Sequence, residues 1–417
     1  MDSTSKSSGA PGAFGQYLSS TFTSLRHRNF KFYCLGVLVS LTGSLMQEVV
    51  VAWLGYQMTG SSFVLGSILF SYQVPMLVLG VLGGYAADRF DRKKIIVTTQ
   101  LAALAVSLTW LSLSWSGALQ VWHLYALSAV FGVVVAFEIP ARFAMIPQLV
   151  DGKDCMNAFS LDSLLFYTGR VLGPAIGALA LAAIGATACF ALNSVSYVLE
   201  LVTLSFIVPV AYKKGETPSL KEAFAYTYGN PVIRRILAFV AVFSFCGVYI
   251  PLMPVYTALL KGTAGTNGLL IAASEIGAMV GSLFLANRTA KSEYMDKLSK
   301  TVGLAGISYA VCIALFSMSR SLPLSLALII PTGLSMTLLL IGAHALVQSQ
   351  VEDRMRGVVS TVFWMYSYFG MFALGGPALG WLVDHSGVAA TMSGAALACV
   401  ATALYYLRFH RGEAQSK

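Results

Sequence analysis

The stretch "GGYAADRFDRKKII", residues 83–96, decides the fold. Six charged side chains fall within the seven residues from Asp88 to Lys94, and long apolar runs flank them on both sides. Gly83 and Gly84 stand just before the knot. A dense charge cluster between two such runs is the pattern of a short loop joining two membrane-spanning helices. The rest of the chain reads the same way. Of its 417 residues, 57% are hydrophobic and 11% charged. A soluble domain carries about 25% charged residues, so the bilayer is the solvent to reason with here.

Twelve apolar runs approach the ~20 residues that cross a hydrocarbon core. The first six cover 32–58, 63–87, 94–116, 122–146, 158–184 and 187–210. The second six cover 233–260, 265–287, 301–318, 322–346, 357–384 and 387–408. The expected fold is an all-α integral membrane protein, with twelve transmembrane helices in two pseudo-symmetric six-helix bundles. The expected bundles are 31–210 and 233–410, joined by a polar cytoplasmic linker, 211–232. A disordered or amphipathic cytoplasmic arm, 1–30, precedes them, and a cytoplasmic tail, 411–417, follows. The arm is not a secretory signal, because the first apolar run is too long for one and no cleavage site follows it.

Charge sets the orientation. The chain carries 27 basic residues and a net charge of +9. With the N-terminus in the cytoplasm, Lys261 and Arg320 are the basic residues on the opposite side. The others lie in cytoplasmic segments or within helices. This asymmetry predicts a multi-pass protein of the plasma (inner) membrane with both termini cytoplasmic. It accounts for the positive charge without nucleic acid. The six cysteines are scattered, with neither metal spacing nor a disulfide framework, so no cofactor or metal is expected.

The chain also repeats itself. "GPAIG" at 173–177 returns as "GPALG" at 376–380, an offset of 203. "GSILFSYQ" at 66–73 aligns with "GLLIAASE" at 268–275, an offset of 202, which makes Gln73 and Glu275 equivalents. Duplicated six-helix halves are the architecture of many secondary transporters, with the substrate site near the midplane between halves.

In the opening stretch, Gly83 and Gly84 allow a neighbouring helix to come close. Asp88 can cap exposed backbone N–H groups or pair with Arg89 or Arg92. The cluster is either a latch between bundles or a simple topology anchor. "GYAADRFDRKK" resembles the signature loop of the major facilitator superfamily, G-x-x-x-D-R-x-x-R-[RK], with Gly84, Asp88, Arg89, Arg92 and Lys93 at its fixed positions. Asp91 stands where many members carry a small residue. The resemblance implies a cytoplasmic gate, which Glu138, Arg142 and Asp162 would join. "GRVLGPAIGAL" at 169–179 resembles the fifth-helix pattern G-x-x-x-G-P-x-x-G-[GA] of drug–proton antiporters, through Gly169, Gly173, Pro174 and Gly177. Small residues there let helices touch, and the proline bends the helix. "EIPARFAMIPQLV" (138–150) and "GPALGWLVDHSG" (376–387) are similar to the siderophore- and macrolide-exporter branch. The fourth-helix arginine motif of the antiporters is not recognisable.

Charged side chains inside the bilayer cost about 2.5–3.5 kcal/mol each, so they call for a reason. Glu48 is either a proton or cation carrier or a buried structural carboxylate. Arg170 is a counter-ion for an anionic substrate or cavity carboxylate, or part of a structural pair. Glu275 carries the same two readings. Glu138 and Arg142, one i,i+4 step apart, can pair with each other. Glu200 is read as lying outside the cavity, His344 as a packing residue, and Asp384 and His385 as solvent-facing. Tyr167, Tyr249, Tyr256, Trp53 and Trp364 are candidates to line an amphipathic cavity. With 12% aromatic residues, the presence of one in a helix selects nothing by itself.

These readings point to a proton-coupled exporter of an amphipathic small molecule, a drug or siderophore, working by rocker-switch alternating access. The site residues would be Glu48, Gln73, Arg170, Glu275, Tyr167, Tyr249 and Trp364. Sodium is the alternative coupling ion, lipid surrounds the chain, and a monomer is expected. A lipid or lysolipid translocator of the same fold is the alternative. A membrane enzyme is remote, because no nucleophile or metal motif occurs, and so is a sensor, which large soluble appendages would favour.

Overall fold

The computed structural model describes residues 23–208, 220–289, 292–352 and 354–415. The expectations for the arm through residue 22, for 211–219 of the linker and for the last two residues of the tail lie outside these.

Long apolar runs become long helices, because a chain in lipid must satisfy every backbone polar group within itself. The first four are α1 (Arg28–Thr59), α2 (Ser62–Arg89), α3 (Arg92–Trp115) and α4 (Val121–Met145). Their ends carry the expected signals. Gly60 closes α1 in the left-handed region at φ 65°. Ser61 caps α2, accepting from Val64 N at 3.4 Å. Asp91, not Asp88, caps α3, accepting from Lys94 N at 3.2 Å. α5 (Cys155–Ser205) is one helical stretch of 51 residues, twice the length of one crossing. It is broken at Gly185, whose φ of 81° and ψ of 172° belong to a region that only glycine enters easily. Its two arms match the expected fifth and sixth crossings.

The second set opens with a short helix, α6 (Leu220–Gly229), bent by 99° from α7 (Pro231–Cys246). α8 (Met253–Leu259), α9 (Ala264–Thr289), α10 (Ser292–Met318), α11 (Leu322–Ser349) and α12 (Arg356–Val362) follow. A π-helical segment, Phe363–Gly370, leads into α13 (Met371–Ser386), and α14 (Val388–Gln415) ends the set. Gly387 between α13 and α14 repeats the Gly185 conformation, with φ 81° and ψ 157°, 202 residues later. This is the same offset that the sequence repeat shows.

Among the described residues, nine helices are long and apolar enough to cross a membrane, and the bent α6–α7 pair makes ten. With α5 divided at Gly185 and α12–α13 taken through the π segment, the helices accommodate the twelve expected crossings. Two expectations need correction. The run 233–260 is not one helix: it breaks between α7 and α8, where Gly247 ends α7 and Pro251 follows, and Pro254 stands in the first turn of α8. The run 357–384 is not regular either, because eight of its residues wind as a π-helix.

Packing follows from the small residues. α1 lies on the first arm of α5, where Gly169 faces Leu41, Gly173 faces Leu45 and Thr42, and Gly177 faces Met46. α2 lies on α4, where Gly83 meets the Ala136 carbonyl and Gly132 meets that of Tyr72. Gly84 departs from expectation: a Cβ there would meet nothing within 4 Å. Between lipid-bathed helices little hydrophobic force acts, so close approach of this kind carries the association.

The helices before residue 208 meet those after 220 along two seams. On one, α2 packs against α13: Gly66 touches Gly376, and Gly380 faces Ser62. On the other, α5 packs against α9, where Gly268 touches Ala178 and Pro174. Toward the α1–α2 turn the two sets share one core, in which Val49, Leu65 and Leu69 join Leu252, Met253 and Tyr256. Toward the end that bears the termini, a separate core runs from Phe30 to Ile207 and contains residues of the first set alone. The sets are therefore closed together at one end and separately packed at the other.

Candidate functional site

A cavity lies between the two sets at mid-span, lined by Glu48, Tyr72, Arg170, Pro174, Pro251 and Glu275 among others. Its volume is about 90 Å³. That holds a few waters and is well below the ~300 Å³ of a small ligand pocket. Each polar side chain is placed by a feature already described. Arg170 sits one residue after Gly169, on the arm of α5 that presses on α1. Glu275 projects from α9, which Gly268 brings against α5. The non-helical break after α7 contributes Ile250 and Pro251. Irregular backbone at this depth occurs where it lines a cavity.

Arg170 and Glu275 form a fork across the seam. Arg170 Nε donates to Glu275 Oε2 at 2.9 Å, and Nη2 donates to Oε1 at 2.6 Å. Glu275 is 4% exposed, whereas the Arg170 side chain is 29% exposed. The Arg170 guanidinium also stands 5.6 Å from the centre of the Phe166 ring. Glu48 opens into the same cavity and interacts electrostatically with both Arg170 and Glu275. The local count is two carboxylates to one guanidinium. Arg170 is committed bidentately to Glu275, so Glu48 is the carboxylate in excess.

The remaining candidates lie elsewhere. Tyr167, Tyr249, Trp364 and Gln73 do not line the cavity. Tyr249 shares a 2.8 Å hydrogen bond with Ser274 inside the second set. Trp364 packs on His344 and Tyr368. Gln73 is buried, and its Oε1 has no hydrogen-bond partner among the described residues. Tyr72, beside it, is the residue that reaches the cavity. No signal distinguished the two, since the repeat aligned Gln73 with Glu275.

Glu138 and Arg142 pair at 2.6 Å, and Arg142 also holds Glu200 at 2.6 Å. Gln100 donates to Glu138 at 3.0 Å. Tyr33 donates to Asp162 at 2.7 Å. All of these belong to the first set. So do the signature-loop bonds: Arg89 to the Tyr85 hydroxyl at 2.6 Å, Arg92 to the Ala87 carbonyl at 3.1 Å, and Lys93 to the Ile207 carbonyl at 2.7 Å. Outside the spans, the hydrogen bond from His27 holds the Asp154 carboxyl below its ordinary range.

Asp384 is a functional candidate that sequence reasoning missed. It is exposed, as expected, yet it is not merely solvent-facing. It accepts from Ser61 Oγ at 2.6 Å, Ser62 N at 2.7 Å and Phe63 N at 3.0 Å. A side chain of α13 thus caps the N-terminus of α2 across the seam, where backbone N–H groups have no partner within the helix.

Broken helices, two seams and a mid-span charged cavity are the geometry of a membrane transporter, and the family match places the chain in the major facilitator superfamily. The profile of the family described as transmembrane secretion effectors matches residues 19–417. The chain belongs to that family and is a multi-pass membrane protein. A staphyloferrin A transporter of Staphylococcus aureus is 23% identical over 394 residues, covering 90% of this chain and 96% of the relative. An enterobactin exporter of Salmonella typhimurium is 26% identical over 264 residues, covering 62% and 63%. An uncharacterised transporter of Bacillus subtilis is 28% identical over 177 residues, and that match spans 42% of this chain and 41% of the relative's length. Among solved structures, the nucleoside transporter NupG superimposes with a TM-score of 0.71 at 13% identity, covering 90% of this chain and 98% of its own. A bacterial homologue of the lysosomal transporter Spinster, inward-facing and occupied, gives 0.72 at 14%, covering 92% and 97%. These likenesses speak for the fold alone.

Proposed function

We propose that the chain is a proton-driven exporter of amphipathic small molecules of the siderophore type. The observation that carries this reading is the fork between Arg170 and Glu275 across the seam, with Glu48 in excess beside it. A carboxylate without a committed cation, in a cavity reached from one side at a time, is suited to take up and release a proton. Arg170 is suited to hold an anionic group of the substrate whenever Glu275 lets go. The siderophore-transporting relatives support that substrate class.

In this reading the termini are cytoplasmic and the membrane is the inner one, as the basic residues indicate. The described state is then inward-facing, with the outer ends closed by the shared core. Residues 31–210 and 233–410 rock as two bodies about the seams. Protonation of Glu48 from outside accompanies return to this state, and its release inward accompanies the next export step. Arg89, Arg92, Lys93, Glu138, Arg142 and Asp162 meet the second body when the inner ends close. The chain works as a monomer.

The test is accumulation of cationic dyes and iron chelators in cells lacking other efflux pumps. Cells with the wild type should accumulate less than vector controls, and a protonophore should erase the difference. Efflux that persists with the protonophore at matched expression would exclude proton coupling.

A further inference from the structure

A second, larger cavity lies in the second set, at the end that bears the termini. It is a groove of about 370 Å³ between α7, α11 and α14. It shares no lining residue with the mid-span cavity, so it is not an extension of the transport site. Its depth in the membrane follows from the bend between α6 and α7. Taken as the start of the seventh expected crossing, α7 runs into the bilayer, and α6, at 99° to it, then lies along the interface. Arg234 and Arg235 come within about one turn of that bend. Their guanidinium groups therefore stand at headgroup depth. Arg234 Nη1 donates to the Tyr228 carbonyl at 3.3 Å, which ties it to the bend.

From Arg234 the lining continues along one row of α7. Ala238 and Val242 follow at successive i+4 steps. At 1.5 Å per residue this row reaches about 12 Å into the hydrocarbon. The facing wall comes from α14: Tyr405, 62% exposed, near the interface and Thr402 one turn deeper. An amphipathic tyrosine ring belongs at that level. The groove thus has a cationic mouth at headgroup depth and a mainly apolar floor leading inward. Water would gain few hydrogen bonds along that floor. A phosphate at the mouth with an acyl chain along the floor satisfies both parts, as in basic pockets between transmembrane helices that hold acidic lipids.

We propose that this groove binds one anionic glycerophospholipid from the leaflet at the termini-bearing end. Arg234 and Arg235 hold its phosphate, and Ala238, Val242 and Thr402 receive one acyl chain. Bound there, the lipid ties α7 to α14 just below the interfacial helix α6.

Native mass spectrometry of the purified full chain tests this. The delipidated protein is offered palmitoyl-oleoyl phosphatidylglycerol or phosphatidylcholine at equal concentration. The wild type should retain one phosphatidylglycerol with a preference of about 30-fold, the sum of two arginines acting at a membrane surface. The double variant Arg234→Gln/Arg235→Gln should hold the two lipids alike. Ala238→Phe fills the floor and leaves both arginines, and it should release either lipid. Equal retention by the wild type, or phosphatidylglycerol retention unchanged in Ala238→Phe, would overturn the proposal. Should the double variant fail to fold, these two results decide it.

Discussion

The two seams that join the helix sets are built on opposite principles. Along α2 and α13 the contact is backbone against backbone, Gly66 to Gly376 and Gly380 to Ser62, with Asp384 capping α2 at the end. Along α5 and α9 a backbone contact at Gly268 is followed, toward mid-span, by the Arg170–Glu275 fork. The first seam has a fixed separation and little sensitivity to charge until its end. The second depends on the charge state of a single pair. A joint of the first kind suits a pivot. A joint of the second kind can answer to a proton or an anion. Duplicated halves thus carry equivalent motifs put to different uses. The glycines of "GPAIG" seat α5 on α1 within its own set and leave only Pro174 to meet Gly268 across the seam, whereas both outer glycines of "GPALG" make the contact between sets.

Breaking the fork should have the largest effect. Arg170→Gln strands the Glu275 carboxylate, 5% exposed, and Glu275→Gln strands the guanidinium. Each should abolish dye efflux and destabilise the detergent-purified protein by about 3–5 kcal/mol, read as a lower melting temperature. The double variant Arg170→Met/Glu275→Met should regain much of that stability and none of the efflux, since neither member of the fork is left stranded by the loss of the other. A double variant that transports would remove the fork from the mechanism.

Next in size is the glycine seam. A Cβ at Gly66 would meet the Gly376 carbonyl and, at 2.6 Å, Pro377 N, and backbone cannot swing aside. Gly66→Ala should cost about 1–3 kcal/mol and slow transport in proportion. Gly84→Ala on the same helix, where nothing lies within 4 Å, should melt like the wild type. Equal melting of the two variants would contradict the seam as drawn.

The smallest expected effect is at the cap. Asp384→Ala should cost about 1 kcal/mol. Because the cap links the sets only while that end is closed, the variant should favour the opposite state. Cysteine-labelling rates at positions on the Ser62 end should rise, and melting should barely move.

The fold was legible because its signals are local. Apolar length, the charge knot at 88–94 and small residues spaced four apart need no partner to be read. Arg170 and Glu275 also stood out separately, as charges where charge is costly. Their pairing did not. They lie 105 residues apart, and the internal repeat matched Glu275 with Gln73 instead. Asp384 read as a loop-end carboxylate because the N–H groups it caps arrive from a helix far earlier in the chain, at separations of 322 for Ser62 N and 321 for Phe63 N. The break after Cys246 was hidden by continuous hydrophobicity, although Gly247, Pro251 and Pro254 were there to mark it. Tyr72 was hidden by the abundance of aromatics, and Gly84 by a motif position that says nothing of which glycine touches a neighbour.

The central claim is that Glu48, the carboxylate in excess, carries the coupled proton while the fork serves the substrate. Proteoliposomes holding Glu48→Gln test it directly. Substrate exchange without a pH gradient should continue near the wild-type rate, and uphill transport driven by an imposed pH gradient should vanish. Uphill transport that survives in Glu48→Gln would contradict the account and place the proton elsewhere.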